Sequence, residues 1–370
     1  MSIVKILTTF IFIYTQFVSA NDLFIPHQSS RARAMGGTII SDANGLDALF
    51  FNAAALSRVE GYVFDIAKVN AGASQNSQRL LDQTKSSGST LAASDLQNLY
   101  GETFFAEASA HSGMVIPRFG IAAYSHSYVS EVFNNPVFPT FNINLVSDYG
   151  YIVGTSIPIG LNLSFGIAGR HIKRWSGKTD ILISDLIGTN DKDLVASRLQ
   201  DKGSGNALDL SMHYVMPASK LNLSLSWKDV GDTKFTSLSG NGPEKQSDNL
   251  TFGVSKKDTL SFFDMTYAFE YNHIRQDDAL SKKVHFGAEA SLGLFDFRLG
   301  LNQGYLTYGL GVDLWLVSVD ATAYTEEFST NNSQIKSDRY QATVTLALDL
   351  DQSLKLRNQF GKKRRLMQRR

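Results

Sequence analysis

From Gly61 onward, apolar and polar positions alternate with a period of two. Between Tyr305 and Leu316, the residues Leu306, Tyr308, Leu310, Val312, Leu314 and Leu316 fall on one face. Thr307, Gly309, Gly311 and Asp313 fall on the other. The same alternation sets Phe263, Met265, Tyr267, Phe269 and Tyr271 against Asp264, Thr266, Ala268, Glu270 and Asn272. It recurs over 284–292 and 340–350. Alternation sustained over about 10 residues is the signature of a strand long enough to cross a bilayer at a tilt. A soluble sandwich would use strands of about 5 to 6 residues. It would not place charges beside glycine and alanine on one face and aromatics on the other, as the lumen and lipid faces of a membrane barrel do.

The pattern predicts fourteen strands, near 61–70, 103–116, 118–128, 141–157, 160–174, 206–217, 220–232, 248–257, 261–274, 282–293, 294–302, 305–315, 317–327 and 339–350. Connections alternate between long and short, as an outer-membrane barrel with both ends on one side requires. Gln303-Gly304 breaks the rhythm, being short where a long loop is due. At Trp315 the apolar phase changes from even to odd positions with no turn residue present. A tight turn is expected there; a bulge would lower the strand count. The face assignment predicts that arginine is costly at the lipid-facing Leu310 and mild at the lumen-facing Thr307.

The first residues are of another kind. Lys5, the apolar run Ile6–Phe17 and the small residues Val18-Ser19-Ala20 read as a secretory signal peptide over 1–20, too short for a membrane helix. No stretch of 18 apolar residues follows, which excludes a helical membrane protein. The chain has no cysteine, and its net charge is zero, so neither disulfides nor a nucleic-acid-binding field is expected. The last segment, FGKKRRLMQRR, carries six basic residues. With 352–370 taken as a periplasmic tail, anionic lipid or a partner protein suits it better than DNA.

Residues 30–58, SRARAMGGTIISDANGLDALFFNAAALSR, resemble the N-terminal signature of FadL-like outer-membrane barrels, and are nearest in pattern to PorV-like and conjugal-transfer TraF-like members. The stretches GNALDLSMHY, SWKDVGDTKF, HFGAEASLGLFDFRLGLNQGYLTYGLGVDL and VDATAYTEEF are similar to those relatives in the same order. The resemblance implies that residues 21–60 form a lumenal plug ahead of a barrel spanning 61–351. Gly36-Gly37 permits a bend closed to bulkier residues. Ser41 or Asp42 is placed to cap a short turn bearing Leu46, Leu49 and Phe50. Ala53, after Asn52, stands where the family has proline, which removes a fixed φ. Gly36, Gly37, Asp42, Asn52 and Ala53 are therefore the expected plug and gating residues.

No nucleophile elbow, zinc-protease helix, P-loop or dinucleotide fingerprint is present. Seven histidines are scattered without metal-ligand spacing. No catalytic residue, metal or cofactor is expected. The polar strand faces carry Asp264, Glu270, His285, Glu289, Asp296, Arg298, Asp313, Asp320 and Asp349, with Glu289 directly across from Arg298. The resulting reading is an all-β, exported, up-and-down barrel of the outer membrane, passing hydrophobic or amphipathic small molecules, as the resemblance implies. The alternatives are a receptor or scaffold barrel for a secretion or surface-assembly system and, third, an outer-membrane enzyme. Expected partners are outer-membrane lipids, a hydrophobic ligand and a secretion-system protein, with no nucleic acid.

Overall fold

A computed structural model describes residues 25, 27–77, 102–134, 140–182, 200–260, 262–327, 336–351 and 356–357. The signal-peptide reading and most of the basic tail lie outside these residues.

The strands in chain order are β1 (Gly61–Ser74), β2 (Thr103–Ile116), β3 (Phe119–Asn134), β4 (Thr140–Ile159), β5 (Leu163–Leu182), β6 (Asp201–Met216), β7 (Leu221–Lys228) and β8 (Phe235–Ser239). They continue as β9 (Asn249–Thr259), β10 (Asp264–Tyr271), β11 (Val284–Leu292), β12 (Phe295–Asn302), β13 (Tyr305–Asp313), β14 (Val317–Glu327), β15 (Lys336–Asp351) and β16 (Leu356–Arg357). All 16 belong to one sheet. Leaving aside β8, which pairs only with β6, and the two-residue β16, fourteen antiparallel strands follow one another. β15 returns to β1 and closes the barrel.

Every expected strand is present. Two expected segments are shortened for a visible reason. The strand expected to reach residue 232 ends at Lys228, because Asp229, Gly231 and Asp232 take positive φ angles of 52°, 79° and 65°. The strand expected over 282–293 starts at Val284, after a helical turn, Leu280–Lys283. Trp315 makes a turn and not a bulge: its φ is 82°, and Leu314 N–H donates to Val317 O at 2.8 Å. A bulge does occur in β1, where pairing with both neighbours shifts after Asp65. One extra residue exchanges the faces. It puts Ile66 outside, 58% exposed, and turns both Asp65 and Lys68 inward.

The outward face is apolar all round, with Ile66, Tyr149, Ile167, Leu208, Phe286, Leu299, Tyr308 and Val344 exposed. The inward face holds the buried serines, threonines and charges. This inversion of a soluble protein places the sheet in a bilayer. Leu310→Arg, between Phe297 and Ala321 on the outer face, is expected to cost about 2 to 4 kcal/mol if at the bilayer midplane. Folding into lipid vesicles measures it, and an unchanged stability would refute the lipid assignment. Thr307→Arg is not the mild change that the pattern predicts. Thr307 is fully buried; its hydroxyl donates to Ala34 O at 2.9 Å and accepts from Gly36 N–H at 3.1 Å. The lumen at that height is occupied by the chain's own N-terminal segment.

Candidate functional site: a filled lumen

Three short helical pieces build that segment. Ser29 caps α1 (Ser30–Ala34) by accepting the Ala32 N–H at 3.4 Å. Gly36 and Gly37 follow with φ of +69° and +88°, and Gly37 N–H bonds back to Ala32 O at 2.8 Å, ending the helix. The second piece is α2 (Gly45–Phe51), which buries Leu46, Leu49 and Phe50 as the spacing implied. Its cap position is Asn44, which makes no side-chain bond, so Ser41 and Asp42 do not cap it. Asp42 is held away by Arg31 at 2.6 Å, and Ser41 O accepts from Ser255 Oγ at 3.0 Å. A 3-10 turn, Ala53–Arg58, leads into β1.

The segment is bound on two sides by different chemistry. Leu46, Leu49, Phe50 and Phe51 join Val115, Ala122, Tyr124, Ile152 and Ala168 from β2–β5 in one apolar cluster. Burying such side chains stabilises by about 1.5 to 3 kcal/mol each. Backbone and hydroxyl groups fix its level. Arg118 N–H donates to Leu56 O at 3.0 Å, Ser226 Oγ to Phe51 O at 2.7 Å, and Asn52 Nδ2 to Ser224 Oγ at 3.1 Å. Ala53 is buried beside β5, where Ala53 C and Ala54 N fill the space a side chain at Gly166 would need.

The opposite side is ionic. Arg31 reaches Glu289 at 2.8 and 2.9 Å, and Arg33 pairs with Glu326, which also takes Arg339 at 2.5 Å. Lys68 meets Asp47 at 2.7 Å. Burial opposes charge on Arg31, yet Glu289 and Asp42 outweigh it and raise its pKa well above the ordinary value. On the short-turn side, Arg31, Asp47, Asp65, Lys68, Arg298 and Asp320 line a polar recess.

Six of the nine sequence-predicted charges fall into two groups. Glu289, Asp296, Arg298 and Asp320 converge: Arg298 binds Glu289 at 2.7 Å, Asp296 at 3.3 Å and Asp320 at 2.5 Å, and Glu289 is opposite Arg298 in register. Glu270 and His285 hold the segment's backbone. Glu270 Oε1 accepts from Ile39 N–H at 2.5 Å and Ile40 N–H at 2.6 Å, and His285 Nδ1 lies 2.7 Å from Gly36 O. Asp313 is drawn off to the turn, accepting from Trp315 N–H at 3.1 Å. Asp264 opens β10, and Asp349 lies two residues before the end of β15.

Arg31, Arg33, Lys68, Glu326 and Arg339 were not picked out from the sequence. Nor was the network inside SWKDVGDTKF. Asp229 accepts from Arg170 at 2.8 Å, Thr233 at 2.7 Å and Gln246 at 2.8 Å, tying the 229–248 connection to the inner wall. The scattered histidines partly converge: His27 Nδ1 and His111 Nε2 are 3.3 Å apart, and His126 lies 5.0 Å from His27 between ring centres. Burial, aided by the fields of His126, His111, Lys228 and Arg170, pushes His27 well below its usual pKa, so it is neutral. Among the described residues no cluster of His, Cys, Asp and Glu is arranged to hold a metal ion.

No protein-family model and no curated protein sequence matches the chain. Solved structures do. The Ralstonia pickettii toluene transporter TbuX is 13% identical, with a TM-score of 0.53 over 86% of this chain and 97% of its own. A TodX monoaromatic hydrocarbon channel variant is 12% identical, with a TM-score of 0.52 over 87% of this chain and 98% of its own. The CymD monoaromatic hydrocarbon channel is 10% identical, with a TM-score of 0.52 over 90% of this chain and 99% of its own. The fold is that of these outer-membrane barrels. At such identities the likeness is one of fold.

Proposed function

We propose that the protein is a FadL-like outer-membrane channel for passive passage of hydrophobic or amphipathic small molecules, with residues 27–58 as its plug. The observation that carries this is the apolar inner wall. A water-filled porin keeps a polar lumen. Here Val115, Ala122, Ile152 and Ala168 line the barrel interior and pack in one cluster with the segment's Leu46, Leu49, Phe50 and Phe51. Displacing the segment would uncover an apolar surface that an apolar solute can use. The hydrocarbon-channel fold agrees with that use. In this reading the long connections are extracellular and both ends of the barrel are periplasmic. Gly36, Gly37, Asp42, Asn52 and Ala53 act in the plug by position, and the wall charges hold it.

A second reading, a receptor or scaffold barrel of the PorV or TraF-like type, has its own support. The segment is ion-paired to the wall, and the recess beside it is polar. An apolar groove lined by Tyr267, Phe286, Leu299 and Leu306 lies on the outer face and not against the plug. A cysteine pair separates the two readings. Ser30 Oγ and Thr343 Oγ1 are 2.7 Å apart, and the chain has no other cysteine. Oxidised Ser30→Cys/Thr343→Cys would pin α1 to β15. Uptake of a small hydrocarbon into proteoliposomes should be lost on oxidation and return on reduction. Uptake equal in both states would remove the plug from the mechanism. Absence of uptake from the wild type as well would favour the scaffold.

A further inference from the structure

The outer surface of β4–β6 carries a feature unrelated to the plug. Lys173 stands over the Tyr149 ring at 5.8 Å, and Lys202 over the Trp175 ring at 6.0 Å. One step lower, Tyr151 stacks on His171 at 5.4 Å, and His171 Nδ1 lies 2.9 Å from Asn206 Oδ1. Tyr149 and Tyr151 are each 54% exposed. Both lysines are exposed, and neither has a carboxylate partner among the described residues. That distinguishes them from Lys220 and Lys256, which face Asp258, and from Lys336, which faces Asp338.

Their height on the barrel gives the pair a meaning. Toward the short-turn rim the same outward rows continue as Ile167, Leu208, Met212 and Tyr214, a lipid-facing surface. Toward the long connections these rows thus give way to tyrosine and tryptophan, with lysines level with them on the neighbouring strands. Aromatic residues with a polar edge sit where hydrocarbon gives way to headgroups, and lysine stems extend past them to the headgroup level. Lys173 pairs with Ser204 and Lys202 with Trp175, so the lysines are diagonal neighbours about 7–8 Å apart across two strands. Two flexible ammonium groups at that spacing can bind one phosphate from both sides.

We propose that Lys173 and Lys202, on their Tyr149 and Trp175 platform, form a binding site for the phosphate of a lipid headgroup in the leaflet facing the long connections. The site depends on the barrel standing in a bilayer and not on what passes through it. If it fails, the transport reading is untouched.

The test uses the full barrel in phosphatidylcholine nanodiscs containing a minor fraction of bis-phosphorylated lipid A. Wild type, Lys173→Gln/Lys202→Gln, and a charge-matched control, Lys220→Gln/Lys336→Gln, are extracted in mild detergent, and bound lipid is counted by native mass spectrometry. Retained lipid A should fall about tenfold or more in the first variant, the effect of removing two headgroup cations. It should stay at the wild-type level in the control. Both variants should melt as the wild type does in phosphatidylcholine alone, which separates lost binding from lost folding. Inorganic phosphate should not displace the lipid. Equal retention in the first variant, equal loss in the control, or displacement by inorganic phosphate would overturn the proposal.

Discussion

Gly300→Val is expected to drive the N-terminal segment off the wall while leaving the barrel closed. Gly300 lies on the inner face of β12, opposite Gly287 on β11 and Thr307 on β13. A Cβ at Gly300 would fall within contact distance of Gly36 N and Met35 C, and one at Gly287 would meet Met35 O. These are backbone atoms of a bend whose φ angles are already positive, so no rotamer change relieves the clash. Overpacking of this kind costs about 1 to 3 kcal/mol. Here the cheaper escape is to release residues 34–37, giving up the Gly36–Thr307 and Gly36–His285 bonds. Strand pairing at Gly300 uses backbone alone and survives. Limited proteolysis of the folded barrel should cut near Gly36 in the variant only, and conductance in planar bilayers should rise. Protection at the wild-type level would show that the wall can make room, and the tight approach would then have no part in closing the lumen.

Arg298→Met is expected to damage the barrel itself. Arg298 is almost wholly buried and holds Glu289, Asp296 and Asp320 at 2.7, 3.3 and 2.5 Å. Methionine keeps much of the volume and removes the charge. Glu289 would retain Arg31, but Asp296 and Asp320 would lose the cation they share. Breaking a buried pair from one side costs about 3 to 5 kcal/mol, because the remaining charge stays desolvated. The urea midpoint of refolding into vesicles should fall accordingly. Arg298→Lys should recover part of the loss, since lysine supplies the charge without the fork. A midpoint within error of the wild type for Arg298→Met would mean that water in the adjoining recess already satisfies these carboxylates.

Much of the wall could be read from the chain. Period-two alternation located each strand, and the phase change at Trp315 marked a turn that composition alone would have missed. Glu289 and Arg298 could be paired because a short turn fixes the register of a hairpin. What fills the wall could not be read. Thr307 has the pattern of a wet lumen position, and nothing near it in sequence announces Ala34 and Gly36. The convergence of His27 on His111, and of Asp229 on Arg170, likewise joins residues far apart in the chain. Local periodicity reports which face a residue occupies and is silent on what that face meets. The caps expected at Ser41 and Asp42 failed for a related reason: Arg31 takes the Asp42 carboxylate, and the helix begins later, with Asn44 at its cap position.

The closure of β15 onto β1 constrains the order of assembly. The segment precedes β1 in the chain, yet its bonds run to β7, β9, β10, β11, β13 and β15. Once β1 has zipped to β15, residues 27–58 could enter only by threading through an end of the finished cylinder. The simplest order brings them inside while the sheet is still an open trough, with the β1–β15 seam last to form. That seam joins residues from opposite ends of the chain and carries the largest loop-closure cost of any pairing in the wall. The N-terminal segment would then serve as a mandrel around which the last strands curl, and much of its ionic tethering would act before the barrel has an inside.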